Sequence, residues 1–330
     1  MNTIRYYDRL KALACIAVVA LHCFFGNFTS AVKLDLLMGR NLMMWAVPIF
    51  VMVTGALLLN PDRTITPRKL SRYTLRMVIA LVVFTFAFSL FDWWISDQPF
   101  TGSVLTSAVK NIFYGTGWKH MWYLYLMIGV YLTLPVFRGF TRSASDKELI
   151  YAVVLFFVAS SVIPSVYTFL EGQNPFYILT YTIYPLYLVL GYVLSKGIIK
   201  LRLGVSTILS VIGVGGIALL TYLGYKQGSQ HMLDLVANYS CPSIVIACVG
   251  IFGLFMNSRD MKIIDKVCHE ISKCSFGVYL LHFAVIKYIV VVIHPKRPII
   301  PLQILVSFAI PFLITWIYNF LVKVIKREVK

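Results

Sequence analysis

The 330-residue chain is 59% hydrophobic and only 13% charged, with a mean hydropathy of +0.80. A water-soluble domain cannot hide that much apolar surface, and a membrane barrel alternates apolar and polar residues where this chain runs unbroken, so the composition describes an all-α integral membrane protein. A net charge of +17 invites a nucleic-acid partner, but the basic residues sit in short loops between apolar runs, where topology and anionic headgroups place them.

Ten apolar runs follow one another, at roughly 10–28, 42–60, 74–95, 121–138, 149–167, 176–195, 203–224, 239–256, 273–293 and 301–322. Each approaches the ~20 residues that a helix needs to cross a bilayer. With the N-terminus inside, 22 basic residues fall on the cytoplasmic side and seven outside, while Lys287 lies within a run. That asymmetry predicts about ten transmembrane helices with both termini cytoplasmic. The first run leads into Phe24–Thr29, which is no small-residue cleavage site, so a cleaved signal peptide is not expected. The longest loops, 28–41 and 96–120, are too short to fold alone, and residues 1–330 read as a single polytopic domain with no attached soluble domain. The six cysteines form no C-x-x-C pair and read as small buried hydrophobes, with no metal expected.

Residues 8–22 read D-R-L-K-A-L-A-C-I-A-V-V-A-L-H. Lys11 and His22 are eleven residues apart, which is three helical turns plus ~20°, with ~16 Å of rise. Asp8, Lys11 and His22 therefore share one helix face. A histidine inside a membrane run is either a packing residue bonded to a neighbouring helix or a proton acceptor and nucleophile. Asp8 and Lys11 taken singly read as topology and snorkelling; the shared face with His22 is what makes them candidates. Further on, P-R-K-L-S-R-Y-T-L-R places Arg68, Arg72 and Arg76 every four residues. If that segment is helical it carries a basic stripe suited either to a polyphosphate or to lipid headgroups. In K-H-M-W-Y-L-Y-L-M-I-G-V-Y-L-T-L-P, residues 119–135, His120 lies at an interface beside Trp122 and Tyr123, as an anchor or a substrate contact. His282, late in S-K-C-S-F-G-V-Y-L-L-H-F, reads by itself as a helix-packing histidine.

Four stretches, in this order, resemble the membrane-bound acyltransferase family 3 of bacterial surface-glycan O-acetylases. D-R-L-K-…-H resembles its first-helix arginine-x10-histidine motif, with Lys11 in place of the arginine. V-P-I-F-V-M-V-T-G-A-L-L-L, residues 47–59, resembles its apolar stretch ending in Ser-Gly, here Thr54-Gly55. H-M-W-Y resembles its His-x-Trp-aromatic helix, and S-F-G-V-Y-L-L-H its late segment ending in histidine. The third stretch is similar to the branch that includes the enterobacterial common antigen O-acetyltransferase. The usual Arg-x-x-Arg of the first inner loop is matched only by Arg72-x-x-x-Arg76.

The resemblance implies acetyl-CoA as the donor substrate and a glycan or lipid-linked glycan as the acceptor, in a multi-pass protein of the bacterial cytoplasmic (inner) membrane bilayer. It implies His22 as the catalytic group with Asp8 assisting, and Lys11, Arg72 and Arg76, with Arg68 on the same stripe, as the donor-binding set. His120, Trp122, Tyr123, His282 and Thr54 are then the substrate-contacting set. It sets no oligomeric state. The alternative is a non-enzymatic transporter or flippase of a glycan or lipid intermediate; against it stand the lack of a visible repeat and the scarcity of acidic residues within the runs, Asp92 near an outer end being the nearest.

Overall fold

The structure, a computed structural model, describes residues 5–27, 33–96, 99, 101–169, 182–293 and 299–328. These residues form fourteen α-helices and no strand. In chain order they are α1 (Arg5–Gly26), α2 (Leu34–Asn41), α3 (Ala46–Leu58), α4 (Pro67–Ile95), α5 (Gly102–Tyr114), α6 (Trp122–Ser143) and α7 (Asp146–Phe157). They continue with α8 (Ile163–Phe169), α9 (Tyr184–Ser195), α10 (Leu203–Gln227), α11 (Gln230–Val236), α12 (Pro242–Met256), α13 (Lys262–Lys287) and α14 (Ile300–Glu328).

Among the described residues, eight helical stretches are long and apolar enough to cross a membrane, and α9 and α12 are shorter apolar helices. The expected run 176–195 starts outside the described residues, which pick it up as α9 at Tyr184. α9 has 12 residues, and every one from Leu186 to Leu194 is buried. A helix wrapped by protein on all sides reads as a continuous apolar run, and nothing in its pattern reveals its position at the centre. The lipid-facing helices show the opposite arrangement, with large apolar side chains left exposed at helical spacing, as at Leu75, Ile79 and Val83 on α4 and Leu313, Ile317 and Leu321 on α14.

Both segments read as loops contain helices. Residues 28–41 include α2, and 96–120 include α5, which stops at Gly115 in the left-handed conformation (φ 65°). Two other helices begin earlier than the apolar runs do. The Thr66 side chain accepts a hydrogen bond from the Lys69 N–H and Pro67 occupies the first turn, so α4 starts seven residues before position 74. The basic stripe is thus helical. α13 likewise begins at Lys262 rather than near 273.

α1 packs along α13 and α3, α3 packs on α9, and α14 covers α13. The α3–α9 contact is backbone to backbone. A Cβ on Gly55 would collide with the Leu188 carbonyl oxygen, and one on Gly191 with that of Met52. Near its start α1 is pinned by Arg9, which is buried, pairs with Asp265 at 2.5 Å and donates to Ser258 Oγ and the Arg259 carbonyl. All six cysteines are unpaired.

Candidate active site: an imidazole-lined cavity

A cavity of about 130 Å³ opens between α1, α3, the start of α6 and α13. Val18, Val19, Phe50 and Val278 give it apolar walls, and His22, His120, Tyr123, Tyr239 and Tyr279 supply its polar atoms. Its convergence of a few polar groups in an apolar concavity is the usual form of a small-molecule site.

His22 stands one turn before the end of α1 and is half-buried. Its Nδ1 is sealed from solvent and has no hydrogen-bond partner. Its ring centroid lies 5.2 Å from that of His282 and 6.3 Å from that of His120. His282, on α13, is fully buried, and its Nδ1 meets the carbonyls of Val278 at 3.0 Å and Tyr279 at 2.8 Å. A carbonyl only accepts, so that nitrogen carries the proton and Nε2 is left a bare lone pair, buried and unpartnered. His120 belongs to a single 3₁₀ turn, Lys119–Met121, ahead of α6. Its ring lies 5.0 Å from Phe283 in a stacked arrangement, both ring nitrogens lack a partner, and its backbone carbonyl accepts the Tyr279 hydroxyl at 2.6 Å. Among the described residues no group of three or more His, Cys, Asp or Glu side chains is arranged to hold a metal ion.

Toward the N-terminal end of α1 the cavity reaches Cys15, Ser275 and Phe276. The Arg76 guanidinium lies 4.5 Å over the Phe276 ring, so an exposed cation of the α4 stripe sits against a wall of the cavity. Arg68 and Arg72 continue that stripe, both exposed. Lys11 is half-buried one turn of α1 beyond Cys15, with Nζ 3.6 Å from Asp8. Asp8 itself is spent on α13, one carboxylate oxygen taking the Ser272 hydroxyl at 2.6 Å and the other the His269 Nδ1 at 2.7 Å. It lies ~21 Å along α1 from His22, by fourteen residues of helical rise.

An aromatic wall stands beyond His120, outside the cavity lining. Trp118 stacks on Phe88 with centroids 4.0 Å apart and donates its indole N–H to Asp92 at 2.8 Å. Asp92 also pairs with Lys287 at 2.5 Å, which gives that intramembrane lysine its counter-charge.

The structure therefore brings His22, His120, Trp122 and Tyr123 to one cavity, with His282 behind His22. It puts Arg76 at the cavity's Lys11-facing wall. Asp8 lies with Lys11 at the far end of α1. The Thr54 hydroxyl turns back to the Phe50 carbonyl at 2.8 Å, one turn from the cavity wall, while Gly55 beside it makes the α9 contact. Sequence reading passed over Phe276, Tyr279 and Phe283. Only Tyr279 left a signal, since at i−3 it falls on the His282 side of the helix. It also passed over His269 and Ser272, which only the packing of α13 on α1 brings to Asp8.

A bundle of helices this long and apolar is the build of a multi-pass membrane protein. A family model described as an acyltransferase domain matches residues 4–320, nearly the whole chain. The protein belongs to that family of membrane acyltransferases, acyltransferase family 3. No curated protein matches the chain, and no solved structure does.

Proposed function

We propose that this acyltransferase is an O-acetyltransferase of the bacterial inner membrane, moving acetyl from cytoplasmic acetyl-CoA to a hydroxyl of a cell-surface polysaccharide or its lipid-linked precursor. The observation that carries the reading is His22, an imidazole open to an apolar cavity with one nitrogen unpartnered. A cavity of about 130 Å³ is close to one of about 150 Å³ that takes a benzene-sized guest. It therefore suits a two-carbon acyl head.

In this reading the ten apolar helices, α9 and α12 included, form the bundle, with both termini cytoplasmic. The CoA phosphates meet Arg68, Arg72 and Arg76, with Lys11 as a point charge in place of the family's forked arginine. The pantetheine arm runs along α1 past Cys15 to His22. The acceptor hydroxyl enters from the opposite side, among His120, Trp122 and Tyr123, with the Thr54 turn behind. His22 takes the hydroxyl proton as the oxygen attacks the thioester carbonyl. The C–S bond then breaks, and the proton passes to the departing CoA sulfur. Asp8 serves the donor end by flanking Lys11, since it is too far from His22 to share its proton.

The test is transfer of label from acetyl-CoA to glycan in membranes holding the intact chain or His22→Ala at equal amounts. Loss of transfer with retained CoA binding is expected. Undiminished transfer by the variant overturns the proposal.

A further inference from the structure

The His22 pocket contains an unusual mismatch. His282 is fully buried, its Nδ1–H is fixed by two backbone carbonyls, and its Nε2 can therefore only accept. Nothing donates to it. The polar groups in ring contact with it are few: His22 at 5.2 Å, His120 at 5.4 Å and Tyr279 at 6.3 Å between centroids. The Tyr279 hydroxyl is already committed to the His120 carbonyl at 2.6 Å. That leaves two imidazoles to satisfy one lone pair. His22 is the nearer, and its Nδ1 is the nitrogen sealed away from the cavity without a partner. A centroid separation of 5.2 Å leaves two imidazole nitrogens about 3 Å apart when they point at each other, ordinary hydrogen-bond reach.

We propose that His282 is the positioning residue of His22: its bare Nε2 accepts the Nδ1–H of His22, which fixes the tautomer whose Nε2 faces the cavity unprotonated. The chain of command runs from backbone to base. The carbonyls of Val278 and Tyr279 fix the His282 proton, His282 fixes the His22 proton, and the free lone pair of His22 is aimed at the substrates. The arrangement does for His22 what a carboxylate does in other histidine-based sites, without burying a negative charge in the membrane interior. When His22 Nε2 takes the acceptor's proton, both of its nitrogens carry hydrogen, and His282 holds the far one. The proton on Nε2 leaves with the CoA sulfur, so His282 gains and loses none. The catalytic part of the inference rests on the reading of His22 as the proton acceptor; the tautomer does not.

The experiment is ¹⁵N-histidine NMR of the full chain in nanodiscs, without substrates, on the native protein and on His282→Phe, His282→Gln and His120→Phe. Each variant is also assayed with acetyl-CoA. The native protein should show His22 protonated at Nδ1. His282→Phe should shift His22 toward the Nε2–H form and lower kcat roughly 10- to 100-fold, the loss typical when the partner orienting a metal-bound histidine is removed, with KM for acetyl-CoA unchanged. His282→Gln, which keeps an acceptor oxygen near the same point, should retain the Nδ1–H form and restore much of kcat. His120→Phe should leave the His22 tautomer unchanged. A native His22 carrying its proton on Nε2 overturns the proposal even if no variant folds. So does a tautomer that follows His120 instead of His282. The Nδ1–H form in a protein that transfers no acetyl would keep this inference and remove the function proposed above.

Discussion

At the N-terminal end of α1, Asp8 binds Ser272 and His269 and lies beside Lys11, and Arg9 reaches Asp265, Ser258 and the Arg259 carbonyl. Seventeen residues past Arg5, His22 Nδ1, both nitrogens of His120 and His282 Nε2 are buried with no partner. Leaving one such atom unpaired costs about 1–3 kcal/mol, and four of them lie in one cluster of three rings. The first cluster is a joint, in which charged groups satisfy each other and clamp α1 to α13. The second lies beside a cavity and leaves hydrogen-bonding capacity unused. Both regions lie along the α1–α13 contact, the second joined by the 3₁₀ turn of His120, so packing of that pair alone does not explain the difference.

The comparison breaks most visibly through His22→Ala. General acid–base catalysis is worth about 10²–10⁴ in rate, so kcat should fall by that order. The melting temperature should change little, because at most the one hydrogen bond to His282 is lost. Calorimetry beside the transfer assay checks both. A large loss of stability with a small loss of rate would make His22 a packing residue. Asp8→Ala is the converse and comes next in size. It strands the Ser272 hydroxyl and the His269 N–H, and the fold should lose about 1–3 kcal/mol, read from thermal melts in detergent. A silent melt would mean that the clamp is not a clamp.

Much of this contrast could be read from the chain. The eleven-residue spacing places Lys11 and His22 on one helix face, and the four-residue period of Arg68, Arg72 and Arg76 holds because Thr66 and Pro67 start α4 before them. What stayed hidden depended on long-range pairing. Asp8 and His269 are 261 residues apart, and Asp92 and Lys287 are 195 apart. No local period marks such pairs. The shortness of α9 was hidden for another reason, since a helix buried on every side carries no amphipathic signal to mark its ends. Thr54-Gly55 was read as a site motif, while its glycine serves the backbone contact between α3 and α9. Small residues needed for close approach and small residues needed for chemistry look alike in sequence.

The proposed donor end is sharpened by Arg72→Ala with Arg76→Ala. Both side chains are exposed, so each contact to a phosphate is screened and worth at most about 1 kcal/mol. KM for acetyl-CoA should then rise roughly tenfold, or ~1.4 kcal/mol, with kcat at saturation preserved. The gap between variant and native protein should narrow as salt is raised, because screening removes the native contact first. A KM that stays put would assign the stripe to lipid headgroups alone.

The smallest effect is expected at the wall on the far side of the histidines. Asp92→Asn removes the partner of Lys287 but keeps an oxygen for the Trp118 indole. The pair is partly open, with side chains 40% and 28% exposed, so the loss should stay below about 1 kcal/mol. Trp118 is held by more than this bond, since it is stacked flat on Phe88 at 4.0 Å and has Lys287 over its ring at 4.9 Å. Its fluorescence should therefore barely change in the variant. If Asp92→Asn instead exposes Trp118 to a soluble quencher, the carboxylate and not the stack holds the wall closed. Access to His120 and His22 from that side would then depend on a single ion pair, which the activity of the same variant toward large and small acceptors would reveal.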